Sequence, residues 1–236
     1  MGFAGARRPR PHRLVTVTDR LPMFPLNAVL FPGVTLPLRV FEDRYRAMVN
    51  HLLRQEEEER HFGSVAIREG YEVGETGAQS LYRVGVKLLI TEVERHDDGS
   101  FDLEVLAVDR IRMDSLVSSG DFPVADVEDL PEDHVTVPGA IVDTARATFT
   151  AYRAALLEFR DDPFTGALPK DPEFLSWTIS ATTPLPMPDR QALLEAPDAG
   201  VRLGMATDLL RAELKAMNVI PSLPATEVAR TKWSPN

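Results

Sequence analysis

Residues 21–40 read LPMFPLNAVLFPGVTLPLRV. Four prolines, Pro22, Pro25, Pro32 and Pro37, interrupt a run of strand-forming residues, and Phe31-Pro32-Gly33 has the composition of a turn. Proline lacks a backbone donor and has a fixed φ, so it is tolerated at strand edges, strand starts and turns. The stretch therefore predicts two short, edge-like strands joined by a turn at Pro32-Gly33. A long helix is excluded. Phe31 is expected in the core and Gly33 at the backbone bend.

Beyond Val40 the period changes. Phe41, Tyr45, Met48, Val49 and Leu52 fall on one helical face, so an amphipathic helix is predicted to about Arg54. The acidic run Glu56-Glu57-Glu58-Glu59 reads as a solvated loop or helix end. Phe62 to Arg68 reads as a strand with Val65 and Ile67 facing one way, and Glu69 to Ser80 as a long Gly-rich surface loop. Val84, Val86, Leu88 and Ile90 then alternate with other residues in the period-two pattern of a half-buried strand. Asp97-Asp98-Gly99 marks a tight turn. Phe101, Leu103, Val105 and Ala107 form the apolar face of the returning strand, which continues through Ile111 and Met113 with Arg110 and Arg112 on the opposite side. Phe122 to Val127 gives one more strand before Pro131.

The remaining pattern is helical. Val142, Ala145, Phe149, Tyr152, Leu156 and Phe159 make an apolar seam that ends before Pro163. Asp171-Pro172-Glu173 is a helix start, an N-cap followed by proline and an acid, for a helix carrying Phe174, Leu175, Trp177 and Ile179. Asp189 is expected to cap a short helix holding Leu193 and Leu194. Asp198 is expected to cap a last one holding Leu203, Ala206, Leu210, Leu214 and Met217. Strands first and helices after describe an α+β fold. The expected division is a disordered leader over 1–18, a β-rich part with one helix over 19–130, a helical bundle over 131–220 and a loose tail over 221–236.

LPMFPL and FPGVTLPLRVFE resemble the opening of the N-terminal domain of Lon-type ATP-dependent proteases. The likeness continues through Tyr71-Glu72-Val73-Gly74, Leu81-Tyr82-Arg83-Val84-Gly85-Val86 and Asp109-Arg110-Ile111-Arg112, and more loosely from Asp171 to about Asn218. The resemblance implies a PUA-like β-barrel module followed by a helical module, used to recognise protein substrates.

Charge narrows the partner classes. Thirty-six acids face 26 bases, and four of those bases, Arg7, Arg8, Arg10 and Arg13, sit in an acid-free Pro-rich leader. The remaining acidic body repels phosphate backbones, so nucleic acid is not an expected partner. The leader reads as disordered or as an overextended start. Its Arg7-Arg8 pair resembles a twin-arginine export signal, but Leu14-Val15-Thr16-Val17-Thr18 is too short and polar to be the apolar region of one. No cysteine is present, so disulfides and thiolate chemistry are excluded. No run approaches the roughly 18 apolar residues of a membrane span. A cytoplasmic location is expected, with no membrane partner.

Catalytic motifs are lacking. The sequence contains no G-x-x-x-x-G-K-[ST] nucleotide loop; Gly74-Glu75-Thr76-Gly77 lacks the lysine and the hydroxyl that follow it. Pro169-Lys170-Asp171 copies three residues of the Lon protease serine motif, but Pro172-Glu173-Phe174 follows and no Gly-Pro-Ser occurs. The five histidines are not spaced with other metal ligands in a known pattern, and His96-Asp97-Asp98 reads as a polar turn rather than a metal site. Ser64, Ser80 and Ser176 lack a G-x-S-x-G context. No catalytic residue, metal ligand or cofactor site is assigned.

The resulting expectation is a non-catalytic module that binds unfolded or partly folded polypeptide. A groove between barrel and helices is the expected place, with Tyr45, Tyr71, Phe122 and Trp177 as candidate lining. The rivals are an uncharacterised hydrolase assembled from scattered Glu, His and Ser residues, a small-molecule or nucleic-acid binder, the nucleic-acid version opposed by the acidic body, and an adaptor or regulator that docks on a separate protease.

Overall fold

The structure is a computed structural model that describes residues 18–68, 81–157 and 167–219. The leader, the loop carrying Tyr71, Phe159 and the proline-containing tail lie outside the described residues.

A long hairpin forms the frame. Strand β4 (Val84–Arg95) pairs antiparallel with β5 (Phe101–Val117), and Gly99 closes the turn at φ +79°. The N-terminal half of β5 pairs on its other side with β2 (Thr35–Val40), and its C-terminal half with β6 (Val124–Asp129). Strand β1 (Thr18–Pro22) lies beyond β6, and β3 (His61–Ser64) lies beyond β4.

The proline-rich stretch closes this sheet into a barrel. After β1 the chain crosses to β3: Met23 pairs in parallel with Gly63 and Leu26 with Ala66. Phe24 N donates to Gly63 O at 2.8 Å and Leu26 N to Val65 O at 3.1 Å. The chain then bends at Phe31-Pro32-Gly33, where Gly33 adopts φ +83° and Val34 N donates to Phe31 O at 3.3 Å. Strands β1 and β2 flank this turn without pairing to each other.

Pro37 occupies a compatible site. Its partner Glu104 turns its carbonyl toward β4, where the Thr91 hydroxyl donates to it at 3.0 Å. The nitrogen of Pro37 therefore points away from β5, on the outer edge of β2, where no ladder bond is lost.

A bulge changes which face of β5 is apolar. Lys87 opposes Asp109 while Leu88 opposes Ala107, so Val108 is the extra residue. Val86 then opposes Arg110 and Gly85 opposes Ile111. This corrects the alternation expected from the sequence. Arg110 shares the face of Ala107 and is buried, whereas Ile111 and Met113 turn to the opposite face.

Two cores result. The smaller lies on that opposite face and gathers Met23, Val65, Leu81, Ile111, Met113, Ala125 and Val127. The larger joins the other face of β4 and β5 to the helices. Helix α1 (Asp43–Leu52) contributes Tyr45, Met48, Val49 and Leu52 to it. Helices α2 (Gly139–Leu156), α3 (Pro172–Thr182), α4 (Met187–Glu195) and α5 (Ala199–Val219) complete it.

Capping follows the sequence at two helices. Asp171 Oδ1 accepts from Glu173 N at 2.9 Å and Phe174 N at 3.0 Å. Asp198 Oδ1 accepts from Val201 N at 2.9 Å. Two expectations are corrected. Pro186, not Asp189, is the N-cap of α4, and Asp189 lies in its first turn. Phe41 is 67% exposed because it precedes the N-cap Glu42 and escapes the helical period. Phe174 is 65% exposed, whereas Leu175, Ser176, Trp177, Ile179 and Ser180 of the same helix are buried. Among the described residues no helix is long and apolar enough to cross a membrane.

Candidate functional site at the seam between sheet and helices

Helix α4 is clamped onto the barrel by polar side chains. Arg190 donates to Val29 O at 3.1 Å and to Thr183 O at 2.9 Å, and Gln191 Nε2 donates to Val84 O at 3.0 Å. The last carbonyls of a helix lack most of their backbone partners, and at the end of α4 Ala196 N reaches Leu193 O only at 3.4 Å. Two buried arginines take that role. Arg110, delivered by the β5 bulge, donates to Leu194 O at 2.9 Å and Ala196 O at 2.7 Å. Arg202, on α5, donates to Leu193 O at 3.1 Å. Positive charge at a helix C-terminus also complements its dipole.

Both guanidinium groups converge on one carboxylate. Glu132 Oε2 lies 3.1 Å from Arg110 Nη2 and 2.8 Å from Arg202 Nη2. The three side chains are 3%, 0% and 8% exposed for Arg110, Arg202 and Glu132. Burial pushes the pKa of both arginines down, and Glu132 opposes that shift. The Glu132 Oε1 atom is buried and accepts no hydrogen bond among the described residues.

Trp177 on α3 fills the space beside them. The Arg202 guanidinium carbon sits 3.2 Å from its ring centroid and that of Arg110 sits 5.6 Å away. Phe31, from the turn of the proline-rich stretch, packs against the same indole with centroids 6.1 Å apart. A cavity of about 240 Å³ opens here between β5, the end of β6 and α3. Pro32, Asp109, Asp129, Glu132, Glu173 and Trp177 are among its lining residues.

This arrangement offers no nucleophile with a base. Ser176 Oγ donates to Glu173 O at 2.7 Å and accepts from Arg202 Nη1 at 2.8 Å. A guanidinium cannot take the serine proton.

The candidate residues from the sequence are placed around different elements. Trp177 lines the seam cavity. Tyr45 is buried at 7% exposure against Phe24, with centroids 4.2 Å apart, and its hydroxyl pKa is pushed up by burial against the opposing pull of Arg44. Phe122 is half-buried against His51 near the end of α1, with ring centroids 5.2 Å apart. Tyr71 lies outside the described residues. Arg110 stands in the sequence only as part of the Asp109-Arg110-Ile111-Arg112 likeness and on the polar side of a strand, and neither it nor Glu132 nor Arg202 is a site candidate there. The available signal was an arginine beside each apolar row, at Arg110-Ile111 and Arg202-Leu203.

A second polar cluster lies at the hairpin end. Ligand atoms of Glu94, His96 and Asp102 lie within 4.8 Å of one another. The Arg39 guanidinium already sits among them, with Nη1 3.1 Å from His96 Nε2 and 3.0 Å from Asp102 Oδ2. Asp98 caps the turn by accepting from Ser100 N at 2.9 Å. The cluster reads as a neutralised turn.

Comparisons with known proteins agree with this fold. A family model described as the ATP-dependent protease La (LON) substrate-binding domain matches residues 20–212. Lon protease 2 of Syntrophobacter fumaroxidans is 27% identical over 205 residues, covering 85% of this chain and 25% of that protein. Lon protease of Escherichia coli K12 is 26% identical over 203 residues, covering 84% and 25% respectively. The chain thus spans about a quarter of the length of the curated relatives it matches. A crystal structure of a Lon N-terminal domain protein from Xanthomonas campestris superposes with a TM-score of 0.60 at 24% identity, over 82% of this chain and 98% of that one. The N-terminal domain of a Mycobacterium avium complex Lon protease gives 0.55 at 20% identity, again over 82% and 98%. The chain belongs to the family of LON substrate-binding domains.

Proposed function

We propose that this chain recognises extended, partly unfolded polypeptide and performs no chemistry of its own. The carrying observation is that its likeness lies in the part of Lon described as substrate-binding and reaches about a quarter of each relative. The lack of a nucleotide loop in the sequence agrees with this reading.

The seam is the proposed docking place. Clefts form where layers of structure meet, and this one has a Trp177 wall beside fixed charges. Phe174 follows the cavity-lining Glu173 and exposes its ring, so it is proposed as an apolar anchor at the rim. Action in the cytoplasm on protein substrates is part of the same proposal.

Cross-linking the full chain to carboxymethylated casein, a permanently unfolded protein, tests it. Casein is expected to be captured uncleaved, with cross-links at α3 and at 129–133. Absence of capture, or cleavage abolished by a single substitution in this chain, overturns the reading.

A further inference from the structure

We propose that the bound polypeptide adds to the barrel as an extra strand along the outer edge of β2, an inference that rests on the polypeptide-binding function above. Strand β2 pairs with β5 on one side, and among the described residues no strand pairs with its other side. The register fixes which groups face outward. Glu104 turns its carbonyl toward β4, so its partner Pro37 faces away from β5. Thr35 opposes Leu106 and Arg39 opposes Asp102, two residues to either side, so their amides and carbonyls face outward with Pro37. The edge therefore offers the N–H groups of Thr35 and Arg39 and the carbonyls of Thr35, Pro37 and Arg39. An extended backbone is the group that complements such a row. Pro37 withholds one donor, which blunts the edge against self-pairing without closing it.

Side chains along the strand agree with an apolar cover. Leu36 and Leu38 pack against the larger core yet stay half-buried, whereas Val40 on the same face is 1% exposed. An added strand lays every second side chain on that face, so a segment with alternating apolar residues fits. Position links the edge to the docking place. Pro32 lines the seam cavity, β2 begins at Thr35, and Phe41 follows its last residue with a ring that is 67% exposed. A segment seated at the seam thus has roughly 20 Å of open strand beside it. Phe41 stands at the far end as a second aromatic anchor.

Residue-resolved amide hydrogen exchange on the full chain, with and without carboxymethylated casein, tests this. In the free protein the Thr35 and Arg39 amides are expected to exchange fast, and those of Leu36 and Leu38, which face β5, slowly. Saturating casein is expected to slow Thr35 and Arg39 at least about five-fold. Thr35→Pro removes an outward donor and no bond to β5, so its melting temperature is expected to stay within about 2 °C while casein capture falls at least about five-fold. Thr35→Val keeps the amide and is expected to capture casein as the unaltered chain does. Casein bound without slowing at Thr35 and Arg39, or bound undiminished by a folded Thr35→Pro chain, overturns the inference and leaves polypeptide binding standing. No capture of casein overturns both. Slow exchange at the two amides before casein is added means that the edge is already taken, by a second copy or by this chain itself, and also overturns it. Where the proline variant does not fold, the exchange comparison alone decides.

Discussion

The guanidinium carbon of Arg202 lies 3.2 Å from the centre of the Trp177 ring. That contact ties α5 to α3, and through Glu132 and Arg110 it ties both helices to the bulge of β5. The interior of the larger core therefore holds two arginines against one glutamate. Burying such charges is tolerable only while every partner is in place.

Arg202→Met is accordingly expected to destabilise the fold by about 3 kcal/mol or more, because Glu132 then keeps one partner and the Leu193 carbonyl only its 3.4 Å bond from Ala196 N. Arg202→Lys keeps the charge but loses the planar fork that reaches Ser176, Leu193 and Glu132 together, so a cost of at least about 1 kcal/mol is expected. Urea unfolding followed by circular dichroism measures both. A cost below about 0.5 kcal/mol for the methionine variant contradicts the account.

Two glycines separate close approach from backbone angle. A Cβ on Gly85 meets Ser64 O at 2.0 Å, a backbone atom across the β3–β4 pair. Gly85→Ala is expected to cost at least about 3 kcal/mol or to prevent folding. At Gly33 nothing lies within 4 Å of a Cβ, but φ is +83°. Gly33→Ala is expected to cost about 1–2 kcal/mol, the penalty of a left-handed alanine. Paired melting curves decide the order, and a reversed order refutes the barrel closure described above.

Asp102 gives the pH dependence a sign. Its bond to His96, and then that to Arg39, hold its carboxyl pKa below the ordinary value. The unfolded chain therefore binds more protons than the folded one just below pH 4. Stability from this group is fully present above the unfolded pKa of about 4 and is lost as pH falls through the lower folded pKa. Carbon-13 NMR titration is expected to show an Asp102 midpoint below that of a free aspartate. Asp102→Asn is expected to flatten the acid limb of the stability curve; an unchanged limb rejects the linkage.

Phe174 connects exposure with binding. Phe174→Ser removes a 65% exposed ring from the α3 surface, so stability is expected to change by no more than about 0.5 kcal/mol. Casein capture is expected to fall at least about five-fold if the ring anchors polypeptide at the seam. Undiminished capture removes Phe174 from the docking surface.

Local features of this protein are legible in its sequence. Pro22, Pro25, Pro32 and Pro37 allow only short strands and turns. Asp171 and Asp198 start their helices because a cap acts over three residues. The turn at Gly99 and the apolar alternation from Val84 to Ile90 are equally local. These signals suffice for an α+β order of elements and for the family resemblance.

The seam was decided by tertiary structure. One extra residue, Val108, reverses the facing of Arg110 and Ile111, and nothing in a period-two pattern marks where a strand will bulge. Arg202 meets a glutamate 70 residues away, and Arg110 meets a carbonyl 84 residues away. The exposure of Phe41 and Phe174 likewise depends on where each helix begins and what packs on it. Periodicity and caps are set by neighbours along the chain. The pairing of buried charge is set by which distant elements are pressed together, and only the folded arrangement supplies that.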